Sequence, residues 1–445
     1  MVYISEGNYT GRWEHILTYC NRVVHERGGV MEKEKKKFSW TQNAVTYSIA
    51  TILLLFGGQI LGGIIVGMVA GIMIIIKDPS VISMMLGGSI DSDLLLSMMG
   101  PVALTCTNYL LPLGMWLVCL LWFLFPKNRP IYQTIGKKLT GNNWPKFLLG
   151  ILLGFGMNAA CIFVAYLHGD IELSLANVNP FAMILIYLCV FVQSSSEEIL
   201  CRGYLFEKIL HRHNFILAAL VSSGLFAAGH LMNDGVTILS ILNIFLFGLF
   251  AVFCVYYLDS MWMAFMVHTT WNYTQNILFG LPNSGAKSMY SLFVLNQATA
   301  RESFAYDPGF GIEGTLLCDI VLLIGCFVIW FFFRGNEHTN IWTELDEEEA
   351  RKAEQEAQMQ VAEQYYQQMQ GQPQVPQQVQ AVQPQAPQQV QAVQPQVPQQ
   401  VQAVQPQAPQ QPVQPVQPVQ PMTENLAEDP EKDWPDDFGD ESGQE

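Results

Sequence analysis

Residues 45–76 read VTYSIATILLLFGGQILGGIIVGMVAGIMIII, with no acidic or basic side chain among them. As a helix this run is longer than the roughly 30 Å of hydrocarbon in a bilayer. Similar apolar stretches follow near 95–126, 146–167, 180–206, 215–232, 236–258, 261–279 and 314–334. The expected fold is therefore all-α: a polytopic helical membrane protein of about eight transmembrane helices. The first two stretches exceed one crossing, so they are expected to tilt or to kink at Pro101 and Pro112. In the first, Gly63, Gly67 and Gly71 form a small-xxx-small stripe suited to close packing within the protein or between copies.

The composition agrees. Half of the 445 residues are apolar and 13% are charged, against about 25% in soluble domains. The net charge of −16 belongs to one end. Residues 335–445 hold 3 basic and 19 acidic side chains, and 3 − 19 = −16. The rest holds 22 − 3 = 19 basic and 38 − 19 = 19 acidic ones and is neutral. With no basic excess, a nucleic-acid partner is not expected. Eight of the nine cysteines lie in or beside apolar spans without a CxxC pair, and read as small buried hydrophobes.

The chain divides into a cytoplasmic N-terminal segment (1–40), a membrane body (41–334), a short solvated helix (335–370), a spacer (371–421) and an acidic end (422–445). The spacer repeats VPQQVQAVQPQ with proline in every unit, which forbids continuous helix or sheet. Spacer and end are expected to be a disordered tail, with Trp434 and Phe438 as the groups a cytosolic partner would find. Thr343 begins a sequence resembling a helix cap. The N-terminus lacks the features of a signal peptide. Basic residues crowd alternate connections: Lys33, Lys35, Lys36 and Lys37; Lys127, Arg129, Lys137 and Lys138; Lys208 and Arg212. This places both termini in the cytoplasm, with the cell membrane as the expected location. The sequon at Asn8 would then go unused.

Ionisable side chains inside such a body are costly and mark function by default. They gather in SSSEEILCRGYLFEKIL (194–210), LFAAGHLMND (225–234) and AFMVHTTWNYTQN (264–276). Glu198 and Arg202 are four apart and can pair along one helix face as a structural pair, while Glu197 points about 100° away and is free for another task. His268 and Asn272 are also four apart, and Phe226 lies one turn before His230. Glu197 and His230 each stand about 24 Å from the turn at His213–Asn214. His268 stands about 12 Å from its own turn at Ser260, so the levels agree if the hairpin projects two turns. The expected site is an intramembrane cavity opening to the cytoplasmic side. Ser194, Ser195 and Ser196 lack a nucleophile elbow or a lysine partner and read as small-residue packing. Asn233 and Asp234 are expected to cap the loop after His230, and Asp319 suggests no role.

In this order the motifs Glu197-Glu198-Ile-Leu-Cys-Arg202, Phe226-Ala-Ala-Gly-His230 and His268-Thr-Thr-Trp-Asn272 resemble those of the CAAX-protease and bacteriocin-processing family of intramembrane proteases, which includes the type 2 CAAX prenyl proteases. The resemblance covers about 183–278. It implies cleavage of a peptide bond at or near the membrane, with a peptide or protein substrate, lipidated or not. Chemically, a desolvated Glu197 facing His230 can serve as base toward water, and His268 with Asn272 can hydrogen-bond an oxyanion. Zinc held by Glu197, His230 and His268 is the alternative. The metal-free reading, with no cofactor required, is preferred because Asn272 suits an oxyanion donor and is a poor zinc ligand. A non-catalytic scaffold or immunity-type protein recruiting partners through its tail is the rival function. A transporter using the same groups as a proton path is another, but the paired inverted repeats such proteins often show are not evident.

Overall fold

The computed structural model describes residues 43–87, 97–336 and 338–371. The N-terminal segment, the Pro/Gln/Val spacer and the acidic end lie outside the described residues. Ten helices carry the architecture: α1 (Ala44–Lys77), α2 (Pro101–Leu110), α3 (Leu113–Trp122), α4 (Trp144–His168), α5 (Pro180–Arg212), α6 (Phe215–Ala228), α7 (Ile238–Leu258), α8 (Met261–Asn272), α9 (Leu316–Phe333) and α10 (Ile341–Gly371). Among the described residues six segments are long and apolar enough to cross a bilayer: α1, α2 with α3, α4, α5, α7 and α9. The fold is thus an all-α polytopic body, with six rather than eight segments meeting that criterion. The expected fifth span is only the 14-residue α6. The seventh, α8, carries the polar residues His268–Asn272, and all of its residues but the half-buried Trp262 are buried.

Local chemistry explains the element boundaries. Asn43, Asn143, Asn179, Asn214, Thr237, Ser260 and Thr315 each accept a backbone N–H at the start of their helix, supplying an acceptor the first turn lacks. Pro112 has no N–H and cannot continue α2, so the over-long second stretch breaks there. Pro101 begins α2 instead of kinking it. The cap of α10 is Asn340, whose Oδ1 accepts from Thr343 N at 3.0 Å. The helix therefore starts before the expected Thr343. A small antiparallel ribbon, β1 (Leu173–Leu175) on β2 (Phe293–Leu295), joins two connections on one face. It is too short to leave a sequence signal.

Packing between helices relies on absent side chains. A Cβ at Gly62 would run into the Leu111 carbonyl, and one at Gly114 into the backbone of Gly58 and Gly62. Backbone-to-backbone approach of this kind joins helices where water supplies no hydrophobic drive. Gly150 and Gly154 do the same for α4 against Met263 and Val267 of α8. The expected stripe behaves otherwise: a Cβ at Gly63, Gly67 or Gly71 meets nothing within 4 Å. These glycines lie round the helix from the face that α3 covers. Gly62→Leu should therefore cost about 1–3 kcal/mol by overpacking and lower the melting temperature in detergent, whereas Gly67→Ala should leave it unchanged.

At the face where α5, α7 and α9 end, the chain after Arg334 straps over the bundle. The His338 side chain, 2% exposed, places Nε2 2.7 Å from Glu207 and Nδ1 3.1 Å from Asp259. Asn340 donates to the carboxylate and carbonyl of Glu207. Trp342 donates to the Lys127 carbonyl and lies under Lys208. Asp259 itself turns α7 into α8 in the left-handed region (φ 51°), a conformation a short polar side chain tolerates. Burial opposes charge on His338, but Glu207 and Asp259 outweigh it and raise its pKa from 6.5 to about 10. Burial likewise works against the Asp259 carboxylate, yet His338 and the Thr339 and Thr140 amides hold it near 2.

A raised histidine stabilises fully below its unfolded value and loses that contribution as pH climbs to the folded one. The thermal midpoint of the wild type should accordingly fall between pH 6.5 and 10 in a component absent from His338→Asn. The depressed aspartate acts at the other end: its contribution is present above about pH 4 and lost toward pH 2.

Candidate active site

Helix α5 is not uniformly α-helical. After Glu198 it widens into a π-helix over Ile199–Phe206 before returning to α over Glu207–Arg212. A second π segment, Tyr273–Leu278, continues α8 beyond Asn272. Such wide turns often accompany functional sites. The first sets Arg202 beneath Glu198, with Nη1 3.2 Å from Oε1 and both side chains fully buried. The guanidinium also lies 4.3 Å from the centre of the Phe226 ring. Gly248 makes room for it, since a Cβ there would lie 3.0 Å from Nη2.

The same Glu198 oxygen lies 2.9 Å from His268 Nδ1. The expected structural pair therefore does more than neutralise charge. An ionised carboxylate only accepts, so it fixes the Nδ1–H tautomer and turns Nε2 away. Nε2 faces Glu197 Oε2 at 3.8 Å. That oxygen has no hydrogen-bond partner among the described residues, while Oε1 accepts from Gln193 Nε2 at 2.7 Å. His230 donates from Nδ1 to the Phe226 carbonyl at 2.9 Å, which leaves its Nε2 an acceptor. Asn272 donates one amide hydrogen to Gln193 Oε1 at 3.0 Å and keeps a second. Phe226 and Phe247 pack on the His268 ring at 5.7 and 5.1 Å.

Glu197, His230, His268 and Asn272 all line one cavity of about 260 Å³. The imidazole within 4 Å of Glu197 belongs to His268, where spacing alone had paired Glu197 with His230.

His338 bridges Glu207 and Asp259, so these stand level, and the hairpin beyond Glu207 projects past the α7–α8 turn. The direction of opening does not follow. Asn233, Asn283, Ser284, Lys287, Ser288 and Met289 line the cavity. They lie on the connections opposite those rich in basic residues. Toward the basic face, Arg202, Tyr204 and Phe206 are buried beneath the His338 cluster. Depth along a helix cannot reveal which end of a bundle its loops close.

Several side chains of the cavity escape sequence reasoning. Glu313, just ahead of α9, is buried and accepts from Trp271 Nε1 (2.9 Å), Asn283 Nδ2 (3.0 Å) and both N and Oγ of Ser284 (2.7 and 2.8 Å). Burial raises its pKa, opposed by the Ser284 and Trp271 bonds. Tyr109 donates to Asn276 Oδ1 across the cavity. Gln193, one turn before Glu197, lies at a spacing that could have revealed it. Asp319 accepts from Asn243 at 2.9 Å, behind the cavity wall. Asn233 ties its loop to the Ser284 carbonyl. Ser194, Ser195 and Ser196 are buried and spend their hydroxyls on Gln193 and the Phe191 carbonyl.

The zinc alternative finds no support in the arrangement of Glu197, His230 and His268. Among the described residues no group of three His, Cys, Asp or Glu is arranged to hold a metal ion.

No curated protein and no solved structure matches the chain. Residues 179–274, which carry every motif side chain above, match the family model described as type II CAAX prenyl endopeptidase Rce1-like, which supports a CAAX-type intramembrane protease at the level of family.

Proposed function

We propose that the chain is an intramembrane endopeptidase in which Glu197 activates water and His268 and Asn272 manage the resulting charge. The observation that carries this reading is His268 held between two carboxylates, Glu198 at 2.9 Å and Glu197 at 3.8 Å. A water beside Glu197 Oε2 loses a proton to that carboxylate as its oxygen attacks the scissile carbonyl carbon. His230 Nε2 is the acceptor that orients the water's other hydrogen. The carbonyl oxygen gathers negative charge and accepts a hydrogen bond from the free amide hydrogen of Asn272. The proton then passes through His268 Nε2, an acceptor in the tautomer that Glu198 imposes, to the leaving amine as the C–N bond breaks. Glu198 and Arg202 act through His268 and do not touch the substrate.

The chain spans the membrane, and with its basic connections in the cytoplasm both termini lie there. The cavity then borders the half of the bilayer away from the basic loops, so the scissile bond reaches it from that half or laterally from lipid. The matched family is described as a CAAX prenyl endopeptidase, so lipidated peptides are the first substrate class to test. The tail beyond residue 371 is the segment available to cytosolic partners.

An oxyanion donor is needed only in the transition state. Asn272→Ala in proteoliposomes should thus lower kcat about 100- to 1,000-fold with little change in KM. An equal rise in KM at constant kcat would assign Asn272 to substrate binding instead.

A further inference from the structure

A line of side-chain amides connects two carboxylates across the cavity. Glu313 Oε1 accepts from Asn283 Nδ2 at 3.0 Å. The second hydrogen of that amide goes to Asn272 Oδ1 at 3.3 Å. Asn272 Nδ2 donates to Gln193 Oε1 at 3.0 Å, and Gln193 Nε2 donates to Glu197 Oε1 at 2.7 Å. Each amide can be read in two orientations, but the ends remove the choice. Glu313 receives four donors on its two oxygens, which matches the lone pairs an ionised carboxylate offers. Asn283 must therefore turn its NH₂ group inward. Asn272 must then accept with its oxygen and present its NH₂ to the cavity. Gln193 follows and presents its own NH₂ to Glu197.

We propose that Glu313, Asn283 and Gln193 are positioning residues that fix the polarity of this line, so that Asn272 offers N–H to the oxyanion and Glu197 keeps Oε2 free toward His268. The inference rests on the proteolytic reading above and extends it to the connection between α8 and α9, outside the residues that match the family model. Reversed, the line would aim the Asn272 carbonyl oxygen at the oxyanion, where it repels.

The chemistry at both ends makes this testable. Glu313→Gln replaces an acceptor-only end with a group that also donates, at unchanged size. It should lower kcat about 10- to 100-fold, the scale of a misplaced group, with KM little changed. Glu313→Asp keeps the acceptor-only end and should restore most of the rate. The rates are read in proteoliposomes on a peptide whose cleavage requires Glu197. A loss that falls on KM, or Asp no better than Gln, would overturn the proposal.

A second measurement needs no activity. Among the described residues Glu313 and Gln193 share no hydrogen bond and are joined through Asn283 and Asn272. Thermal midpoints of Glu313→Gln, Gln193→Ala and the double variant should be non-additive, the double losing less than the sum of the singles. Strict additivity would sink the line. Should the wild type cleave no peptide, the proteolytic reading fails while this cycle still decides whether the line exists.

Discussion

Glu197→Gln should reduce cleavage about 1,000-fold, within the range attributed to a positioned acid–base group, while leaving the fold intact. Glutamine matches glutamate in size and can still accept from Gln193 Nε2, so the turn before Glu198 keeps its hydrogen bond. What it cannot do is take a proton at the Oε2 position, which faces His268 at 3.8 Å. The loss should fall on kcat at unchanged expression and melting temperature, read in proteoliposomes from purified protein. A variant that keeps a tenth or more of the wild-type rate would move the base elsewhere, with His230 the first candidate because its Nε2 is an acceptor on the cavity wall.

The largest effect on stability is expected at Arg202. Its guanidinium is fully buried and bonded to Glu198, itself fully buried. Arg202→Met removes one partner and strands the other charge in a low-dielectric interior. Such a break costs about 3–5 kcal/mol, so the melting temperature should drop sharply or folded protein should be lost. The double variant Arg202→Met with Glu198→Leu removes both charges and should recover much of that stability. It should nonetheless stay inactive, because His268 has lost the acceptor that fixes its Nδ1–H. Recovered stability with recovered activity would show that Glu198 does nothing for His268. The two measurements together separate the pair's contribution to folding from its contribution to the site.

The membrane body could be read from the run at 45–76 and the stretches after it, because lipid leaves a helix few alternatives to apolar side chains. The span count was less legible. Residues 215–232 look like a crossing by composition, yet α6 ends at Ala228, and α8 owes its place to burial among other helices and not to hydropathy. Three motifs on separate helices gave Glu197, Glu198, Arg202, His230, His268 and Asn272 because intramembrane polar groups are few and their spacing is informative. Their pairing was harder. The i, i+4 rule correctly joined Glu198 to Arg202, but no periodicity within one helix can show that His268, on another, lies between both glutamates. Glu313 and Asn283 sit on an irregular connection, where position along the chain says nothing about position in space. Gly63, Gly67 and Gly71 illustrate the converse: a regular stripe suggested packing, while the contact falls on Gly58 and Gly62.

The central claim is Glu197-dependent hydrolysis of membrane-associated peptides. Its most direct test compares the new N-termini in membranes from cells expressing the wild type or Glu197→Gln at equal, correctly inserted levels. The account predicts a defined set of termini within or beside membrane segments that the wild type generates and the variant does not. Identical sets from the two proteins would contradict it.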